Sequence, residues 1–231
     1  MPQTTPNLRD IGFTRTAGGA PVRSGLVLRS GLPFDDDVVD HVVWPPAVVL
    51  DLRSDRELAQ RRTLAAPRVV NLPLLSSLRP EAHHDGTLVT LYAAVLESAA
   101  PLLVELVREV VDAEGPVLIH CAAGKDRTGI AVALLMRLVG VGRDDAMADY
   151  VRTNDHLPAI DARLRALAGN ERRDELPREY FHVVPEALDV VMDLWDAAPG
   201  GTVGWLERAG GDGDLVDRLR TRLLDSDTDS I

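Results

Sequence analysis

The chain has almost no cysteine and almost no lysine. Its 231 residues contain one thiol, Cys121, so neither an intramolecular disulfide nor a zinc site built from several thiolates can form. Of 25 basic residues, 24 are arginine, the pattern of a GC-rich coding sequence. The single lysine, Lys125, lies four residues from the single cysteine. Positive charge is also in deficit overall, and the formal net charge is −11. An acidic surface repels phosphate backbones and anionic membranes, which argues against generic nucleic-acid binding and requires a locally positive pocket for any anionic ligand. No apolar run approaches the roughly 20 residues that span a bilayer. The first ten residues are polar, contain two prolines and lack the charged-then-apolar order of a secretory signal. The expectation is a soluble, cytoplasmic protein with no nucleic-acid partner and no stable membrane insertion. Nothing in the sequence speaks to oligomeric state.

What is present is an ordinary globular composition, 45% apolar and 26% charged. The length suits one domain, expected over residues 1–225, with a frayed tail over 226–231. Residues 1–21 read as a loop-rich lead-in. Strands are predicted over 22–29, 47–52, 68–75 and 117–120; the second and last are continuous apolar runs of the kind buried on both faces. A short helix is predicted over 33–41, with Pro33 early and acids in the first turn. Ser54 with Glu57 three residues later forms a capping box for the next helix. Further helices are predicted over 88–97, 101–113, 126–139, 143–152, 156–168, 185–197, 202–208 and 214–224. In the helix over 126–139, Ile130, Leu134, Leu135 and Leu138 form a core face. Strands and helices alternate in the first half, which predicts an α/β fold with a central, mostly parallel sheet flanked by helices. Residues 76–100 and 155–184 fall outside that alternation and are candidate lid or insertion segments.

The segment after the last strand is His120-Cys121-Ala122-Ala123-Gly124-Lys125-Asp126-Arg127-Thr128-Gly129. A strand that runs through a short loop into a helix N-terminus aims backbone N–H groups and the positive helix end at one point, which suits an oxyanion. The same field favours a thiolate, so Cys121 is expected to be reactive. A loop of this length can wrap one phosphoryl group, with Arg127 gripping two of its oxygens through a planar fork. Gly124 lets the backbone approach closely. The Thr128 hydroxyl can donate to the Cys121 sulfur. Lys125 and Arg127 together supply the positive charge that an anionic ligand needs in this acidic chain.

His-Cys-x5-Arg-Thr-Gly resembles the signature loop of the protein tyrosine phosphatase superfamily, and the fuller HCAAGKDRTG resembles its bacterial tyrosine-phosphatase-B branch, whose members act on phosphotyrosine and phosphoinositides. Three further segments are similar to that branch and fall in its order: Asn7-Leu-Arg-Asp-Ile-Gly12, Leu28-Arg-Ser-Gly31 and Asp51-Leu-Arg-Ser-Asp-Arg-Glu57. Residues 150–154 resemble the stretch after the signature helix. The resemblance implies a phosphatase-type fold and hydrolysis through a phosphocysteine on Cys121. The loop residues Ala122, Ala123, Gly124, Lys125, Asp126 and Arg127 would hold the phosphate, and His120, Thr128 and Asp51 would support the site. It implies no metal and no organic cofactor. The substrate it implies is a phosphorylated protein, first phosphotyrosine, with phosphoinositide or broad dual-specificity activity as the alternative.

A general acid must protonate the leaving oxygen. The branch assigns that role to the loop aspartate, here Asp126; Asp51 at a strand end and Asp85 in the 76–100 segment are alternatives. The Trp-Pro-Asp loop of many superfamily members is absent, since Trp44-Pro45 is followed by Pro46. His83-His84 has no evident third ligand for a metal. A nucleotide-binding P-loop would need glycine at 119 and Ser or Thr at 126, where the chain has Ile119 and Asp126. A thiol relay of the arsenate-reductase kind lacks its second cysteine. A non-catalytic phosphate-binding module remains as a further alternative, although such modules lose the Cys or the Arg, and both are present here.

Overall fold

The strands β1 (Arg9–Asp10), β2 (Val27–Ser30), β3 (Val48–Asp51), β4 (Arg68–Asn71) and β5 (Val117–His120) form one sheet in the order β1-β2-β5-β3-β4. The computed structural model describes residues 4–12, 14–60, 64–75, 87–167 and 181–225. Only β1 runs antiparallel; the other four strands are mutually parallel. The helices are α1 (Asp55–Gln60), α2 (Leu88–Ser98), α3 (Ala100–Asp112), α4 (Asp126–Leu138), α5 (Arg143–Val151), α6 (Leu157–Arg165), α7 (Pro185–Asp196), α8 (Gly201–Arg208) and α9 (Leu215–Leu223), with a 3-10 turn over Arg152–His156. The architecture is the expected α/β one, a mostly parallel sheet with helices packed on it.

Strands β2, β3 and β5 are buried at every position, which is what their unbroken apolar runs require. Side chains alternate between the two faces, and the faces are unequal. Val27, Leu50, Val117 and Ile119 join the large core with residues of α2, α3, α4, α5, α7, α8 and α9. Leu28, Val49 and Leu118 point the other way into a small cluster with Leu64, covered by irregular chain around Trp44.

The strand order positions the site. β5 comes last of the strands in sequence yet inserts between β2 and β3. Its last residue, His120, pairs in register with Ser30 on one side and Asp51 on the other. Three strands therefore end at one level, and their following loops open together at the carboxyl edge, where α/β sheets bind ligands. Helix α4 starts there. It packs on β5 and β2 and among α3, α5, α7, α8 and α9. All its residues except Asp126 and Arg137 are buried, so it is apolar around its whole girth rather than on one face.

Several local expectations differ in detail. Residues 33–41 do not form a helix: the Asp37 carboxylate accepts from Thr5 Oγ1, Phe34 N and both Arg163 Nη atoms, and this organises a turn instead. The strand expected over 22–29 begins only at Val27, after Gly25 takes a positive φ of 76°. The strand expected over 68–75 stops at Asn71, before Pro73, which has no N–H to give. The tail 226–231 lies outside the described residues. No single helix among the described residues is long and apolar enough to cross a membrane; α2 and α3 pass such a test only as a pair bent by 73°.

Candidate active site

At the carboxyl edge the chain leaves β5 at His120 and enters α4 at Asp126. The turn between them is possible because Gly124 takes φ +65°; a Cβ there would sit 2.2 Å from the Ser30 carbonyl oxygen. The Gly124 carbonyl is held by two donors, Asn7 Nδ2 and Arg29 Nη2, each at 2.8 Å. Arg29 and Arg9 are both anchored on the buried Asp149 carboxylate, with Arg9 Nε at 2.7 Å from Oδ1. Burial works against the Asp149 charge, but the two guanidiniums outweigh it and keep the carboxyl below its usual value. The segments Asn7–Gly12 and Leu28–Gly31 thus contain the braces of the signature loop.

The loop forms the floor of a cleft of about 480 Å³. Cys121, almost fully buried at 1% exposure, lies at its base. Lys125 caps α4 without a side-chain bond, which leaves the first N–H groups of that helix to a ligand. Helix α6 walls the cleft with Leu157, Ile160 and Leu164, joined by Phe181. The same helix adds Asp161 and Arg165, so an apolar stretch of wall is edged by charge, beside a floor that carries Lys125, Asp126 and Arg127.

Arg127 is held by a partner that the sequence reading did not assign to it. Nη1 donates to Glu57 Oε2 at 2.7 Å and Nη2 to Oε1 at 2.8 Å, and Nη1 also reaches the Leu52 carbonyl at 3.2 Å. A guanidinium has five N–H groups. The two that remain, on Nε and Nη2, lie along one edge of the plane and are a second fork of the kind that matches two phosphoryl oxygens. Burial opposes the Arg127 charge, yet Cys121 and Glu57 raise its hold on the proton. Glu57 is the same residue that was read as a cap, and it does both: its Oε2 accepts from Ser54 N and Ser54 Oγ, each at 2.9 Å. Burial again works against its charge, and Arg127 and Ser54 together lower its proton affinity.

Asp126 lines the cleft with its side chain about a quarter exposed. Tyr92 donates to its Oδ1 at 2.7 Å, and Lys125 Nζ lies 3.6 Å from the same oxygen. Lys125 is buried, and its Nζ donates to the His182 carbonyl at 2.5 Å, tying the loop to the chain that leads into α7. Asp51 is placed otherwise. It is fully buried at the end of β3 and accepts from Arg53 N, Nε and Nη2. Burial alone would raise its carboxyl, but the His120 ring 3.5 Å away and the Arg53 donors bring it below the usual value. His120 is also fully buried, with Nδ1 3.2 Å from the Cys121 carbonyl; burial lowers its proton affinity, and the nearby Asp51 carboxylate only partly offsets that. The buried Thr128 hydroxyl has no hydrogen-bond partner among the described residues, so the expected donation to Cys121 is not made in this structure.

The 76–100 and 155–184 segments divide. Helix α2, from the first, is a core helix that supplies Tyr92 to Asp126. Helix α6 and Phe181, from the second, line the cleft directly. Asp85 and His83-His84 lie outside the described residues. Among the described residues no cluster of His, Cys, Asp and Glu could hold a metal.

A strand-to-helix loop that carries a thiol and a guanidinium edge with no partner among the described residues suits a tetrahedral anion, and the class that this fold and site define is that of phosphate-monoester hydrolases. Residues 2–225 match the model of the tyrosine phosphatase family, and the chain belongs to that family. It is 28% identical to the triple specificity protein phosphatase PtpB of Mycobacterium tuberculosis, over 94% of this chain and 96% of that protein. It is 29% identical to a Cupriavidus necator protein named as a tyrosine-protein phosphatase, over 89% and 82% of the two chains. A solved structure of Pseudomonas aeruginosa TpbA in complex with pTyr matches 86% of this chain and 85% of its own, at 18% identity and a TM-score of 0.37.

Proposed function

We propose that this phosphatase hydrolyses phosphotyrosine in proteins through a phosphocysteine intermediate. The observation that carries the reading is that Cys121 lines one cleft together with an apolar stretch of α6 and with Arg127, whose second fork has no partner among the described residues. The Cys121 sulfur attacks phosphorus as the P–O bond to the leaving group breaks. Asp126 gives its proton to the departing oxygen. Water then attacks phosphorus and gives one proton to Asp126, and the S–P bond breaks to restore the thiolate and release phosphate. Arg127 and the loop N–H groups hold the equatorial oxygens through both steps. Thr128 would turn its hydroxyl to the sulfur once that sulfur is a leaving group.

The acid role falls to Asp126 because its carboxylate lines the cleft, whereas Asp51 is fully buried and engaged by Arg53. The wall of Leu157, Ile160, Leu164 and Phe181 suits an aryl ring. Phosphoinositide or broad dual-specificity hydrolysis is the second reading, favoured by Lys125 and Arg165 lining the same cleft and by the triple-specificity name of the mycobacterial relative.

The test is steady-state hydrolysis of an aryl phosphate, a phosphotyrosine peptide and a phosphoinositide panel by wild type, Cys121→Ser and Asp126→Ala. Turnover of the peptide ahead of the lipids, lost in Cys121→Ser, is expected. Preference for the lipids would establish the second reading. No aryl phosphate turnover by wild type would leave only a phosphate-binding module.

A further inference from the structure

Asp126 has two oxygens, and the structure treats them differently. Both neighbours, Tyr92 and Lys125, approach Oδ1. Oδ2 has no hydrogen-bond partner among the described residues. Behind Tyr92 stands a second hydroxyl: Tyr92 Oη and Tyr150 Oη are 2.8 Å apart, and Tyr150 Oη is 3.5 Å from the Val184 carbonyl. Each phenol has one proton to give. A carboxylate is a stronger acceptor than a neutral phenol, so the Tyr92 proton goes to Oδ1, and the Tyr150 proton goes to Tyr92 Oη as its nearer acceptor, at 2.8 Å against 3.5 Å for the Val184 carbonyl.

We propose that Tyr92 and Tyr150 are positioning residues for Asp126, a hydroxyl chain that keeps Oδ1 an acceptor and so places the exchanging proton on Oδ2. The proposal rests on Asp126 as the general acid. The chain comes from three elements, with Tyr92 on α2, Tyr150 on α5 and Asp126 opening α4. All three are fixed. Tyr92 and Tyr150 are buried at 1% and 0% exposure. The Tyr150 ring packs on the first turn of α4, where a Cβ on Gly129 would sit 2.7 Å from its Cδ2. The last glycine of the signature therefore makes room for the ring that orients the acid. Burial and the Asp126 charge raise the proton affinity of both phenols, so neither loses its proton in the working range of the enzyme. With Oδ1 occupied, the carboxylate cannot rotate to present the wrong oxygen, and the acid is preorganised rather than found by search.

The test uses a series of aryl phosphates whose leaving phenols range from strongly to weakly acidic. The readout is the dependence of kcat/KM on leaving-group acidity in wild type, Tyr92→Phe, Tyr150→Phe and Asp126→Asn. An acid that works makes that dependence shallow; an absent or misplaced acid makes it steep. Asp126→Asn is expected to steepen it. Tyr92→Phe is expected to lose about tenfold on phenyl phosphate and to stay within about twofold of wild type on dinitrophenyl phosphate, whose leaving group needs no proton. Tyr150→Phe should change in the same sense by less, and it carries the test by itself if Tyr92→Phe does not fold. Tyr92→Phe should add nothing in the Asp126→Asn background. A uniform loss across the series, or no loss, in both tyrosine variants would overturn the proposal while Asp126→Asn still steepened the series. If Asp126→Asn left the series unchanged, the acid assignment itself would fall, and the proposal with it.

Discussion

The Arg127 guanidinium and the Glu57 carboxylate meet through two hydrogen bonds, at 2.7 and 2.8 Å, and each is locally committed elsewhere as well. Arg127 lies in the first turn of α4 and Glu57 caps α1, so the pair joins the helix after β5 to the helix after β3 across the cleft floor. The contact fixes the plane of the guanidinium and with it the direction of the free fork. Glu57→Ala is expected to lower kcat/KM on aryl phosphates about a hundredfold by letting that plane turn, and Glu57→Gln about tenfold, since it keeps one bond and loses the charge. Steady-state kinetics with a thermal melt on each variant checks this. Unchanged kcat/KM in Glu57→Ala would mean that Leu52 and the helix suffice to orient Arg127.

Gly124 gives a purely geometric prediction. Its φ of +65° and the 2.2 Å approach of a Cβ to the Ser30 carbonyl leave no room for a side chain. Gly124→Ala is expected to cost about 3 kcal/mol and to abolish turnover, because relief must come from moving the loop or β2. Gly19 is the control: it has φ +88° with nothing within 4 Å of a Cβ, so alanine there should cost about 1 kcal/mol and leave activity intact. Urea unfolding and phosphatase assays on both variants separate strain from site damage.

The signature loop, the strand before it and the helix after it were legible because apolar runs and the Cys-x5-Arg spacing are local signals. The fold class was legible for the same reason. The partners of the loop were not, because they are distant in sequence and their motifs have other local meanings. Glu57 reads as a cap and is one, and nothing in residues 54–57 points to Arg127, 70 residues on. Tyr92 sits in an apolar helical pattern, where a tyrosine reads as core; only the approach of α2 to α4 gives its hydroxyl a partner. Lys125 lines the cleft where an anion needs charge, but its bond to the backbone carbonyl of His182, 57 residues on, has no local signal. The missing helix over 33–41 has the same origin, since Asp37 answers to Arg163, 126 residues away.

The bond from Lys125 Nζ to the His182 carbonyl makes Lys125 a joint between the loop and the chain carrying Phe181. Lys125→Met is expected to raise KM for aryl phosphate, phosphopeptide and phosphoinositide alike, severalfold, by loosening the cleft wall. A role confined to lipid headgroups would raise KM for the phosphoinositide alone. Parallel KM measurements on the three substrates decide between them.

Buried acids and a buried histidine set the response of stability to pH. Burial works against the charges of Glu57 and Asp149, but their arginine partners win, and both carboxyls titrate below their ordinary values of 4.5 and 3.8. A carboxyl depressed on folding stabilises above its ordinary value, and that stabilisation is lost as pH falls through the folded value. His120 acts in the same direction by another route. Burial lowers its proton affinity below the ordinary 6.5, so as pH falls past 6.5 the unfolded chain gains a proton that the folded chain refuses. Stability should therefore begin to fall near pH 6.5 and fall more steeply below about 4.5. The net charge of −11 works the other way, because acid relieves self-repulsion. His156, part-buried and also lowered, adds a smaller loss over the same upper range. The clean readout is thus a difference: His120→Asn against wild type, in urea midpoints from pH 7.5 to 5. The variant should show the shallower decline, and equal slopes would mean that His120 takes up its proton in the folded state as readily as in the unfolded one.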